Sequence, residues 1–132
     1  MKFVGIIKEH EGGLVKIGTS INNLTILDNP PLEHLDKIVS YLENGKRVIS
    51  FLHEVFDGKT SLGALSYLTD GKWIWPSYLA YYLKRGYKSL LDNEFIKDVV
   101  KNDFIIPPLN NEEMREVGLF YRSVYAPNIG HK

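Results

Sequence analysis

The chain predicts an α+β domain: an antiparallel sheet of about four to five strands covered by about four helices. Three observations predict it. β-rich runs come in neighbouring pairs joined by glycine turns, rather than in regular strand–helix–strand units. The dipeptide Asp70-Gly71 between two apolar runs is a strong two-residue hairpin signal. Three helical periodicities then follow one another after Pro76. At 132 residues one domain over 1–132 is expected, burying roughly two-thirds of its unfolded surface. A loose tail is expected from about position 126.

Phe3–His10 and Leu14–Thr19 read as two strands joined through Glu11-Gly12-Gly13, because glycine takes positive φ without a clash. Leu24–Leu27 offers a short third run. Asn29-Pro30-Pro31 opens a helix, with asparagine as cap and proline at the first turn. Leu32, Leu35, Ile38, Val39 and Leu42 form its apolar stripe, and Asn44-Gly45 should end it in the left-handed way. Arg47–Phe56 alternates with apolar residues on both faces, which predicts a central strand. Asp57-Gly58-Lys59 is a turn and Thr60–Gly63 a loop. Ala64–Thr69 and Lys72–Trp75 then pair across Asp70-Gly71.

From Pro76 a second helix runs to about Arg85 and closes at Gly86, with only Ala80 and Lys84 facing outward. Asp92 caps a third, whose Phe95, Ile96, Val99 and Val100 should face inward. After the break at Ile106-Pro107-Pro108, Asn110 and Glu113 resemble a capping box. They open a fourth helix through Met114, Val117, Phe120, Tyr121 and Val124.

Composition narrows the function classes. Sixteen basic residues cancel sixteen acidic ones, so the basic excess of a phosphate-binding surface is missing. No direct nucleic-acid partner is expected. There is no cysteine, which removes thiolate catalysis, thiolate metal sites and disulfides. The first ten residues read as a strand rather than a signal peptide. No apolar stretch approaches the roughly 20 residues that span a bilayer. A cytoplasmic location without membrane contact is the expectation.

Few residues carry chemistry. His53, Glu54 and Asp57 are the nearest approach to a catalytic or metal-binding group. Adjacent strand residues point to opposite faces, however, so His53 and Glu54 cannot converge without a bulge. No two histidines share a helix at ligand spacing, and Gly12-Gly13 lacks the lysine and following helix of a phosphate loop. Catalytic residues, cofactor and metal are therefore all expected to be none.

The densest signal is aromatic. Tyr67–Tyr87 holds seven of the sixteen aromatic residues, including both tryptophans. Trp73 and Trp75 share one strand face, and the stripe of Tyr78, Tyr81 and Tyr82 follows at once, so the helix should fold back over the indoles. Each large aromatic buries roughly 150–250 Å², which makes Asp70, Gly71, Trp73, Trp75, Pro76, Tyr81 and Tyr82 a structural hub.

The run Leu68-Thr69-Asp70-Gly71-Lys72-Trp73-Ile74-Trp75-Pro76, with Leu79, Tyr81 and Tyr82, resembles a D-G-x-W-x-W-P motif. That motif is found in small bacterial immunity proteins encoded beside polymorphic or contact-dependent growth inhibition toxins. Tyr41–Ile49 is similar to the helix–turn–strand approach of the same group, and the likeness spans Asp36 to Val100. The resemblance implies a cofactor-free cytoplasmic domain. It would bind one cognate toxin, of nuclease type, and occlude its active site or substrate surface. It supplies no catalytic residues.

A neutral chain would need a local acidic face to match a basic toxin. Glu9, Glu11, Asp28, Glu33, Asp36 and Glu43 are the candidates for it, with Tyr78 as an aromatic contact. A monomer is the default. The alternative reading is a small-molecule-binding domain or enzyme using His53, Glu54 and Asp57.

Overall fold

The computed structural model describes residues 1–11, 17–24 and 33–125. Its four strands are β1 (Lys2–Phe3), β2 (Lys46–Asp57), β3 (Thr60–Thr69) and β4 (Trp73–Pro76). Among the described residues there are four α-helices: α1 (Leu35–Glu43), α2 (Leu79–Lys84), α3 (Asn93–Lys101) and α4 (Asn111–Tyr125). The fold is α+β. No helix of the described residues is long and apolar enough to cross a membrane.

The sheet order is β1-β4-β3-β2. β2–β3 and β3–β4 are antiparallel hairpins, whereas β1 runs parallel to β4, pairing Lys2 with Trp73 and Phe3 with Ile74. The sheet is thus mixed, which corrects the wholly antiparallel expectation. The N-terminal hairpin is also corrected. Gly5, at φ 77°, turns the chain out of β1, and Lys8–Glu11 closes into a 3-10 turn. Thr19 meets Ile7 through a single parallel bridge. The Gly12-Gly13 turn, Asn29-Pro30-Pro31, Asp28 and the tail from 126 lie outside the described residues, as does most of Leu24–Leu27.

β2 is an edge strand, not a central one. Its register against β3 shifts between Arg47 and Ile49, between Ser50 and Glu54, and between Glu54 and Phe56. These bulges break the alternation that the two-sided apolar pattern suggested. Val55 is buried, while Leu52 is 103% exposed. β3 begins at Thr60, so the expected loop over Thr60–Gly63 is strand, turned directly by Gly58 at φ 60°.

Helix boundaries differ for local reasons. Pro76 still pairs with Tyr67 as the last residue of β4, where its missing N–H is tolerated, and α2 starts only at Leu79. Ala80 is buried and Val100 exposed, each opposite to expectation. Asp92 caps α3 by accepting from the Glu94 amide at 2.8 Å. Asn110 and Glu113 form a reciprocal capping box, at 3.0 and 2.8 Å.

Register and alternation put Phe3, Ile74, Thr69 and Tyr67 on one face of the sheet, and Trp73, Trp75 and Leu68 on the other. α4 covers the first face, where the rings of Phe120, Tyr121 and Tyr125 meet Phe3. α1 and α3 cover the second. Phe95 of α3 touches both indoles edge-on, and Tyr41 of α1 lies beside Trp75. The indoles therefore pack under α1 and α3, and not under the tyrosine helix α2. That helix packs beside α1 and on the N-terminal segment, with Tyr82 and, just before the helix, Tyr78 against the His10 ring.

Gly45 ends α1 without positive φ, contrary to the left-handed ending expected of it. What the position requires is size: a Cβ there would lie 2.6 Å from Trp75 Cζ2 and 3.0 Å from Leu68 Cβ. Gly45→Ala is expected to destabilise the fold by about 1–3 kcal/mol, the usual range for overpacking. A urea titration followed by tryptophan fluorescence reads this directly, and an unchanged midpoint would contradict the packing described.

Candidate functional site

The D-G-x-W-x-W-P segment is consumed by the fold. Asp70 Oδ1 accepts the amides of Lys72 and Trp73 at 2.9 and 2.8 Å, which closes the turn. Its Oδ2 accepts the Tyr41 hydroxyl at 2.7 Å, tying the turn to α1. Asn102 Nδ2 donates to that same hydroxyl at 3.0 Å. Gly71 supplies the φ of 98° that the turn needs. Trp75 Nε1 donates to the Leu42 carbonyl at 3.1 Å, and Trp73 Nε1 to Asp98 Oδ2 at 2.8 Å. That indole bond, with Lys72 beside it, holds the Asp98 carboxyl below the usual carboxylate range. Both indoles are buried, so neither offers a contact to a partner.

The centre of the other face is a buried carboxylate. Glu11 has 0% exposure, so it is no hairpin-tip contact; Tyr78 is likewise buried, and both expectations of exposure are corrected. The 3-10 turn after Gly5 carries Glu11 inward. There its carboxylate accepts the Tyr67 hydroxyl, the Tyr78 hydroxyl at 2.7 Å and the Tyr125 hydroxyl at 2.8 Å. The Ile7 amide donates to Tyr78 at 2.8 Å, and His10 Nε2 lies 2.7 Å from the Tyr82 hydroxyl. Burial pushes Tyr67, Tyr78 and Tyr125 well above the ordinary phenol range, and the Glu11 charge adds to it. Burial also raises Tyr82 to about 12 and lowers His10.

With no exposed surface, Glu11 meets no substrate; this cluster clamps the N-terminal segment, β3, α2 and α4 together. Its sign with pH follows from the shifts. A phenol raised in the folded state stabilises the fold below its unfolded value of about 10 and loses that contribution as pH rises beyond it. Unfolding above pH of about 10 is expected to be cooperative, with tyrosinate absorbance rising together with loss of far-ultraviolet dichroism. Gradual ionisation at constant dichroism would contradict the cluster.

His53 and Glu54 are both exposed on β2, and Glu54 and Asp57 bond to different partners. The Glu54 carboxylate accepts the Ser61 hydroxyl, while Asp57 accepts the Tyr81 hydroxyl at 2.7 Å and faces Arg85 Nε at 3.8 Å. Tyr81 is half-buried, with the Arg85 guanidinium 5.5 Å from its ring. Among the described residues, no group of three His, Cys, Asp or Glu side chains could hold a metal ion.

Three of the expected acidic contacts lie on or beside α1. Glu33, Asp36 and Glu43 all face solvent, with His34 3.4 Å from Glu33 and Lys84 3.4 Å from Glu43. Glu9 is exposed but occupied: the Ile21 amide and the Ser20 hydroxyl, each at 2.7 Å, lower its pKa. Beside Asp36 an open cleft of about 430 Å³ is lined by Asp36, Lys37, Ser40, Asp103 and Phe104. His34, Asp103 and Phe104, at φ 59°, 55° and 59°, are the non-glycine residues with positive φ among those described. Such conformations cost of order 1–3 kcal/mol each and concentrate at functional sites. The His34 ring lies 5.2 Å from Phe104, and Lys37 Nζ sits 5.2 Å over the same ring. Sequence reading found Asp36 but missed Asp103 and Phe104, whose only signal was the abrupt end of an apolar helix before two prolines.

Compared with protein-family models, with curated proteins and with solved structures, the chain matches none.

Proposed function

We propose that the protein is a cytoplasmic immunity protein that binds a cognate toxin of a contact-dependent or polymorphic system and blocks it by occlusion. The observation that carries this reading is the α1 flank, where Asp36, Asp103 and the Phe104 ring line an open cleft together with Lys37 and Ser40, and Glu33 is exposed at the start of the same flank. That surface suits a basic substrate-binding loop of a nuclease-type toxin. The carboxylates would speed encounter, and Phe104 would anchor the complex and slow release. The D-G-x-W-x-W-P segment supports the reading through its resemblance, while acting in the fold rather than at the contact.

The test is co-purification with the toxin encoded beside this chain. A stoichiometric complex is expected. The variant Asp36→Lys/Asp103→Lys should weaken it by about tenfold or more, with wild-type binding falling as salt rises. A neighbouring product that never binds the folded wild-type chain would overturn the proposal.

A further inference from the structure

We propose that the outer edge of β2 is the contact surface of a two-fold symmetric dimer of this chain. Among the described residues, β2 pairs only with β3, so one row of its backbone groups is open. Open edges of this length template pairing with a further strand. Charges and bulges guard the ends of this strand, but apolar side chains are exposed along it as well. Leu52 is the most exposed large apolar residue among those described, with Phe56 at 49% and Ile49 at 36% on the same strand. A register shift lies between Ser50 and Glu54, the stretch that holds Leu52.

Charge selects the occupant. β2 begins with the basic pair Lys46 and Arg47 and ends with the acidic Glu54 and Asp57. Both basic residues are exposed, and neither forms an ion pair among the described residues; at the acidic end Glu54 is exposed and bonded to the Ser61 hydroxyl, while Asp57 also accepts the Tyr81 hydroxyl and faces Arg85. A strand that is basic at one end and acidic at the other complements a second copy of itself only when the two run antiparallel. A two-fold axis at Leu52 meets that condition by residue count, with Arg47 and Asp57 each five positions from it. The basic end of each copy then lies beside the acidic end of its partner, twice, with Leu52 against Leu52 between them. This is the self-complementarity an isologous interface requires. The dimer stands independently of the toxin-binding reading.

Because the chain has no cysteine, one substitution tests the geometry. Directly opposed antiparallel residues have Cα atoms about 4.5–5.5 Å apart, within disulfide range. Leu52→Cys is expected to form an intermolecular disulfide under mild oxidation, whereas Leu119→Cys, on the exposed face of α4, should remain reduced. Sedimentation of the wild type should give twice the 15.1 kDa chain mass at high concentration. Leu52→Glu should raise the dissociation constant by about tenfold or more, and Lys46→Glu/Arg47→Glu should weaken the dimer with less dependence on salt. Dichroism of each variant confirms folding, which Leu52 does not support because it touches nothing buried. A wild type that sediments as a monomer throughout, or a dimer indifferent to Leu52→Glu, overturns the proposal.

Discussion

Glu11→Ala is expected to destabilise the protein by about 3–5 kcal/mol, the largest effect of any single change outside the tryptophans. The carboxylate is the common acceptor for the hydroxyls of Tyr67, Tyr78 and Tyr125, and all four residues are buried. Removing it orphans three donors in a medium with no water to replace the bond, at about 1–3 kcal/mol each. Two relaxations reduce the sum. Tyr125 and Tyr67 already lie 3.1 Å apart and can bond each other, and the Tyr78 hydroxyl can donate to the Ile7 carbonyl 3.4 Å away. Relief from burying a charge offsets a further part. Glu11→Gln keeps the volume and one acceptor, so it should fall between wild type and alanine. Urea titrations of the three proteins, followed by tyrosine near-ultraviolet dichroism, give the order; an alanine variant within about 1 kcal/mol of wild type would show the cluster to be dispensable.

Asp70→Ala is expected to cost about 3–4 kcal/mol for a different reason. Here a buried carboxylate closes a turn and joins two layers at once. Oδ1 holds the Lys72 and Trp73 amides, and Oδ2 holds Tyr41 on α1. Alanine leaves both amides and the Tyr41 hydroxyl without their acceptor, although Tyr41 retains Asn102 as a donor. Asp70→Asn preserves the turn-side oxygen and replaces the other with a donor that faces the Tyr41 oxygen, so about half of the loss is expected to return. Tryptophan emission is the natural probe, because both indoles follow the turn within five residues. Equal stability of the alanine and asparagine variants would place the energy elsewhere.

What could be read from the sequence divides along chain distance. The Asp70-Gly71 turn, the Asp92 cap and the Asn110–Glu113 box all join residues within three positions, so local patterns disclosed them. Glu11 was misread as a hairpin tip because its partners lie 56, 67 and 114 positions away. Nothing near a glutamate flanked by histidine and two glycines announces burial. β2 failed for another reason: an unbroken two-residue period assigns Leu52 to a covered face, and only the bulges reveal that it points to solvent. At the α1 flank, Asp36 was legible as a polar-face residue. Asp103 and Phe104 join it only because α3 ends in two left-handed residues that turn back toward Lys37.

The most direct test of the proposed function is survival. Cells producing the toxin encoded beside this chain would be grown with the wild-type protein, with Asp36→Lys/Asp103→Lys, and with neither. Protection by the wild type, lost or sharply reduced in the charge-reversed but folded variant, is the predicted result. Growth arrest despite abundant folded wild-type protein would contradict the account.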